Sequence, residues 1–345
     1  MIPGEIELSS SKRRRRRLIA DTSRRVVLAC LLAVAALLGA AGSVLAASAP
    51  QIISILNAQR AANGIPAGIT EDPQWSTACQ LHDAYEHTNN AFGHEEIEGK
   101  PGYTAQGNTI ARTSVLAEGI AWGSGDPYDN APYHLFDLLN PRISSTGAAD
   151  SQGFGCVEIE LGTLRAAPSE PVAYSYPGNH RTGVEASQSA KELPMTPAQS
   201  LGLGTKATGP NLFVYFDGPW SNGSRAQVLS ASLSSSHGSV GVRWLDNTSS
   251  DLLAPTGAIL VPVAPLRPRT TYHVQVTGTV LGVVGGTGIE QVLDSCGAPE
   301  AGGGVNCGAP APSTCVEEFA TQLALCGLSH SWAVSDRFSF TTGRR

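Results

Sequence analysis

From Asn211 onward the chain is cut into short runs that can hardly be anything but strands. NLFVYFDG, AQVLSASLS, VGVRWLDN, GAILVPVAPL, TTYHVQVTG and, much later, DRFSFTTG are rich in β-branched and aromatic residues. Their turns carry Gly, Asn, Asp and Pro. Six short strands at this spacing predict a β-sandwich. The chain has 345 residues, room for about two domains of roughly 150 residues each. The half before Asn211 therefore needs a fold of its own.

Leu266-Arg267-Pro268-Arg269-Thr270-Thr271-Tyr272 sharpens the reading of the second half. A tyrosine opens a strand after a leucine and a proline at a corner, so its hydroxyl is placed to bond to backbone just upstream. With the FTTG ending, Phe340 to Gly343, this segment resembles fibronectin-type and other bacterial immunoglobulin-like modules. It departs from them in a glycine-rich, cysteine-bearing insert between about Val283 and Ser331. No catalytic set stands out here, and the resemblance implies a spacer or adhesion module.

The N-terminus reads as an export signal over residues 1–46. Lys12 to Arg17, Arg24 and Arg25 form a charged region, Val26 to Leu38 is apolar, and Val44-Leu45-Ala46 offers small residues for cleavage. An uncleaved membrane anchor is the rival reading, because the apolar run to Ala47 is long enough to span a bilayer. Either way the rest of the chain is expected outside the cell or at its surface. Without residues 1–46 it carries 15 Lys and Arg against 26 Asp and Glu, a net charge of −11. That balance excludes a nucleic-acid binder and fits a solvated acidic surface. Six cysteines remain, Cys79, Cys156, Cys296, Cys307, Cys315 and Cys326, an even number that suggests disulfides in an exported chain. Four lie between Cys296 and Cys326 and would staple one local excursion, leaving Cys79 and Cys156 to each other.

Helical spacing governs the start of the first half. Ile52, Ile55 and Leu56, with Ala58 and Ala62, predict one helix, stopped by Asn63-Gly64 and Pro66. Asp72-Pro73 opens a second, with an apolar stripe through Trp75, Ala78, Cys79, Leu81 and Tyr85. Ala111 to Trp122 is expected as a short helix or turn, Pro132 to Leu139 as a short helix, and Gly153 to Leu161 as a strand. Glu170 to Thr208 is polar and proline-bearing, and is expected to close the first domain. The fold class is thus α+β, divided at 47–204 and 205–345.

The ordered series LNAQRAANGIP, EDPQWSTACQLHDAY, GHEE, LAEGIAWG, PYHLFDLLNPR and GFGCVEI resembles the CAP superfamily (cysteine-rich secretory, antigen 5 and pathogenesis-related proteins), also called the SCP domain. Its bacterial branch is the nearer match. The resemblance covers roughly Gln51 to Leu161. It implies an α-β-α sandwich with a cleft lined by histidines and acidic residues and, in some members, a divalent cation at the histidine pair. His94 matches the first histidine, Glu118 the glutamate of the signature, and His134 the later histidine. The family's further glutamate has no clear counterpart; Asp126 or Asp129 is the available substitute.

Two neutral imidazoles, His94 and His134, can ligate a divalent cation such as Zn²⁺, with a carboxylate orienting a ligand or water. The competing reading is a hydrogen-bonded cluster that ties loops together. Neighbouring residues offer less. His94 to Glu98 (HEEIE) lacks the second histidine of the H-E-x-x-H zinc motif, and its other glutamates read as loop surface. His82 reads as a half-buried packing residue, and Trp75 and Trp122 as core. The leading expectation is a non-enzymatic exported binding protein for a cation or a small or lipid-like ligand or a cell-surface component. The alternatives are a metal-assisted hydrolase of peptide or cell-wall substrates and a structural adhesion protein with a vestigial cleft.

Overall fold

Helix α1, Ala49–Ala62, starts where Ser48 N–H donates to Gln51 Oε1 at 2.9 Å, a capping exchange that fixes the first turn. Strand β1 (Thr70–Glu71) leads to α2, Pro73–Asn89. There Asp72 accepts from the backbone of Gln74 and Trp75, at 2.9 and 3.2 Å, and Asn90 ends the helix in the left-handed region. The computed structural model describes residues 46–119, 122–220, 224–253, 255–282 and 330–344. The expected leader, apart from Ala46, and the four cysteines from Cys296 to Cys326 lie outside the described residues. Among those residues, no helix is long and apolar enough to cross a membrane.

After α3 (Ala105–Ala111) the chain departs from expectation. Ser114–Glu118, inside the segment read as a helix or turn, is strand β2. Its alternation explains this: Val115 enters one core and Leu116 another. Helix α4 is Pro132–Leu138, and β3 (Ser145–Thr146) pairs in parallel with β1. Strands β4 (Ala148–Ser151) and β5 (Phe154–Glu158) complete an antiparallel sheet of order β2-β5-β4. One face (Val115, Ala148, Val157) packs on α1 and α4, and the other (Leu116, Ala149, Cys156) on α2 and α3. A disulfide joins Cys79 of α2 to Cys156 of β5. Gly147 lets α2 come this close, since a Cβ there would lie 2.3 Å from Trp75 Cβ.

The remaining strands form two facing sheets. One has the order β11-β12-β8-β6, from Val242–Asp246, Gly257–Pro262, Leu212–Asp217 and Val172–Tyr176. The other is β10-β9-β13-β14-β7, from Gly238–Val240, Arg225–Ser235, Thr271–Gly282, His330–Thr342 and Arg181–Val184. Arg267 N–H donates to the Tyr272 hydroxyl at 2.8 Å, the corner bond expected from the sequence. Strands β6 and β7 come from the polar stretch assigned to the first half, so the sheets cross the division expected at residue 204. A short α5, Pro197–Ser200, follows them.

Every residue of β8 and β12 is buried. Val214, Phe216 and Leu260 face the second sheet, whereas Phe213, Tyr215 and Ile259 face α1 and α4. Phe136 of α4 stacks on Tyr215 with ring centroids 4.6 Å apart, and the Tyr215 hydroxyl donates to the Phe136 carbonyl. The α/β layers and the first sheet thus share a core, and the described residues from Ala46 onward form one compact unit. Two arginines, Arg60 buried and Arg142 partly so, tie it further. Arg142 pairs with Asp217 and donates to the Gly218 carbonyl, while Arg60 bonds the carbonyls of Pro66, Leu138 and Asn140.

Candidate functional site

His94 stands exposed in the loop after α2, with Nδ1 donating to the Ala111 carbonyl at 2.7 Å. Because a carbonyl only accepts, Nδ1 carries the proton, and in the neutral ring Nε2 is left as an acceptor. The neighbouring glutamates divide. Glu95 and Glu98 are exposed, with Glu95 3.3 Å from Arg112. Glu96, expected on the loop surface, is buried instead. Its Oε1 lies 3.2 Å from His82 Nδ1 and its Oε2 accepts from Thr104 N–H at 2.8 Å. A Cβ on Gly107 would fall 2.2 Å from Glu96 Oε1, so this glycine makes room for the carboxylate.

His82 is likewise fully buried rather than half-buried. Nδ1 faces Glu96, while Nε2 lies 3.1 Å from the Gly93 carbonyl and 3.4 Å from Glu86 Oε1. Burial pulls its pKa down, but Glu86 and Glu96 together outweigh it and hold the ring above its ordinary value. Next to it Asp83 accepts from the Ser151 hydroxyl at 3.0 Å, and burial pushes its carboxyl up to about 7. Asp126 is raised to about 7 as well, also by burial. Three of these groups, His82, Asp83 and Glu86, share α2 at positions i, i+1 and i+4, yet no standard motif marks them.

These shifts fix the sign of a pH dependence. Asp83 and Asp126 have raised folded-state pKa values, so their stabilising contribution is complete below about 3.9 and is lost as pH rises through about 7. His82, also raised, acts in the same direction, losing its contribution above its unfolded value of about 6.5. The melting temperature is expected to be higher at pH 5.5 than at pH 8, set against a general background. Asp83→Asn should shrink the difference. A melting temperature that rises from pH 5.5 to 8 in the wild type would count against this assignment.

Glu118 is exposed at the far end of β2, paired in register with Phe154. His134 lies on α4, its ring stacked on Tyr128 at 5.7 Å and its Nδ1 2.5 Å from Glu192 Oε1. The backbone N–H groups of Tyr133 and His134 also donate to Glu192, whose side chain is fully buried. Here the histidine clamps the segment leading into α5 onto the start of α4. Tyr128 bonds the Val115 carbonyl and belongs with the α1/α4 face, whereas His94 is fastened to the end of α3 on the opposite face. His94, Glu118 and His134 share no contact, and no group of three His, Cys, Asp or Glu residues is arranged to hold a metal among the described residues. His94 and His134 are thus held by different partners, the Ala111 carbonyl and Glu192.

A separate cleft of about 370 Å³ opens where the α/β layers meet the sandwich. Gln59 and Asn63 from the end of α1 form one wall, with Asp129 and Asn130 beside them. Tyr176 to Pro177, Arg181 to Glu185, Gln188 and Asn211 form the other. Gly178 makes the junction tight: a Cβ there would lie 2.6 Å from Asn63 Cα, and its N–H donates to Asn63 Oδ1 at 2.7 Å. Gln188 Oε1 accepts from both the backbone and the side-chain nitrogen of Asn211 at 2.9 Å, and its Nε2 donates to the Asp129 carbonyl. Two buried oxygens, Gln59 Oε1 and Asn211 Oδ1, have no hydrogen-bond partner. The sequence singled out Asp129 alone among these residues, because the cleft is assembled from four distant segments. No family model matches the chain, and comparison with curated proteins and with solved structures returns no match.

Proposed function

We propose that the chain is an exported, non-enzymatic binding protein, built from a CAP-like α/β unit on an immunoglobulin-like sandwich. It holds a small polar ligand in the cleft between them. The CAP likeness rests on the ordered sequence series and on helices covering both faces of the β2-β5-β4 sheet. The observation that carries the binding role is the cleft itself. At about 370 Å³ it is of the size that small-molecule sites occupy. It also keeps Asn211, only 5% exposed, with an unsatisfied oxygen. A buried acceptor without a donor costs about 1–3 kcal/mol, and a ligand that donates to it recovers that loss.

The test is a thermal-shift screen of the full chain against small polar compounds, run beside Ala62→Trp. Ala62 lies on the cleft wall at an exposed helix position, so the indole fills the cleft with little cost to folding. Compounds that raise the wild-type melting temperature should leave the variant unmoved. Equal shifts in both proteins would reject the cleft as the binding site.

A further inference from the structure

We propose that the cleft between the α/β layers and the sandwich takes a neutral saccharide. This rests on the reading of the cleft as a ligand site and adds the ligand's chemical class. The polar groups with capacity left for a ligand decide it. Asn63 and Gln188 are used up within the protein. Gln59 Oε1 and Asn211 Oδ1 remain as unpartnered neutral acceptors. Around them stand the carboxylates of Asp129 and Glu185 and, as donors, the exposed Arg181 and Asn130.

This set discriminates among ligand classes. A lipid-like tail would leave the two buried amide oxygens without donors, at about 1–3 kcal/mol each. An anion would face Asp129 and Glu185. A cation would be opposed by Arg181, whose guanidinium needs an acceptor. A sugar hydroxyl both donates and accepts, so neighbouring hydroxyls on one ring can answer the amide oxygens, the carboxylates and the guanidinium together. Tyr176 and Pro177 add apolar surface to the wall, suited to the C–H face of a pyranose.

Isothermal titration of the full chain is the test. The probes are glucose, galactose, mannose, N-acetylglucosamine and the disaccharides cellobiose, lactose and chitobiose, with 1,4-diaminobutane as a cationic control. At least one sugar should bind, with an affinity that added salt leaves unchanged, since no charge is neutralised. Gln59→Met removes the amide while keeping the side-chain length, and should weaken that sugar about tenfold. If Gln59→Met fails to fold, Ala62→Trp gives the same readout by occlusion. Sugar binding untouched by both variants would place it elsewhere and overturn the proposal. Binding of the diamine without any sugar, weakened by salt and by Glu185→Gln, would overturn the saccharide class while leaving the cleft a ligand site. Binding of neither probe, with thermal-shift compounds still blocked by Ala62→Trp, would do the same. Loss of that blocking rejects the underlying reading instead.

Discussion

Replacing Arg60 by methionine should lower the unfolding free energy by about 3–5 kcal/mol, because three carbonyls lose their donor at roughly 1–3 kcal/mol for each one left buried and unsatisfied. Arg60 is fully buried on α1 and spans three segments. Nε reaches the Pro66 carbonyl at 2.8 Å, Nη1 that of Leu138 at 3.0 Å, and Nη2 that of Asn140 at 2.8 Å. Burial lowers its pKa, but only to about 10, so it stays charged at neutral pH. Methionine keeps much of the packing and leaves three carbonyls without this donor. Lysine should rescue only part of the loss, because a single ammonium cannot reproduce the planar fork. Denaturant unfolding of the three proteins measures this; a methionine variant as stable as the wild type would show that the carbonyls find other donors.

Loss of the disulfide is the second large effect. Cys79 and Cys156 are 77 residues apart in sequence, and both are fully buried between α2 and the sheet. Closing a loop of that length restricts the unfolded chain, with a typical contribution of about 2–4 kcal/mol. Cys79→Ala with Cys156→Ala should therefore melt well below the wild type. Because neither sulfur is exposed, a mild reductant should act slowly on the folded protein and quickly in partial denaturant. Equal melting temperatures for the two proteins would mean that packing of α2 against the sheet suffices by itself.

Helices α1, α2 and α4 were legible because their signals are local. Asp72-Pro73 caps and starts α2, and Asn63-Gly64 ends α1, whatever surrounds them. The strands from Leu212 onward were legible too, by composition and turn spacing. Ser114–Glu118 was not, since VLA between polar residues suits either a turn of helix or a strand until there are cores on both sides of it. Glu96 shows the same limit at the site. In sequence it is one of three glutamates beside His94, and only the fold turns it inward to His82 and leaves Glu95 in solvent.

By itself, the sequence determined helices α1, α2 and α4, the strands from Leu212 onward and the corner at Tyr272, and it left Cys79 and Cys156 as candidates for each other. Each follows from local spacing, turn chemistry or the number of available partners. Tertiary structure decided that the apolar runs of β8 and β12 are covered on both faces, by the second sheet on one side and by α1 and α4 on the other. It also drew β6 and β7 out of a polar stretch into the two sheets. It fastened His94 to the Ala111 carbonyl and His134 to Glu192, and it brought Gln59, Asp129, Arg181, Glu185 and Asn211 to one cleft. Burial on two faces and convergence of distant segments are properties of packing. A linear pattern records which residues are apolar or polar, not which surface will cover them.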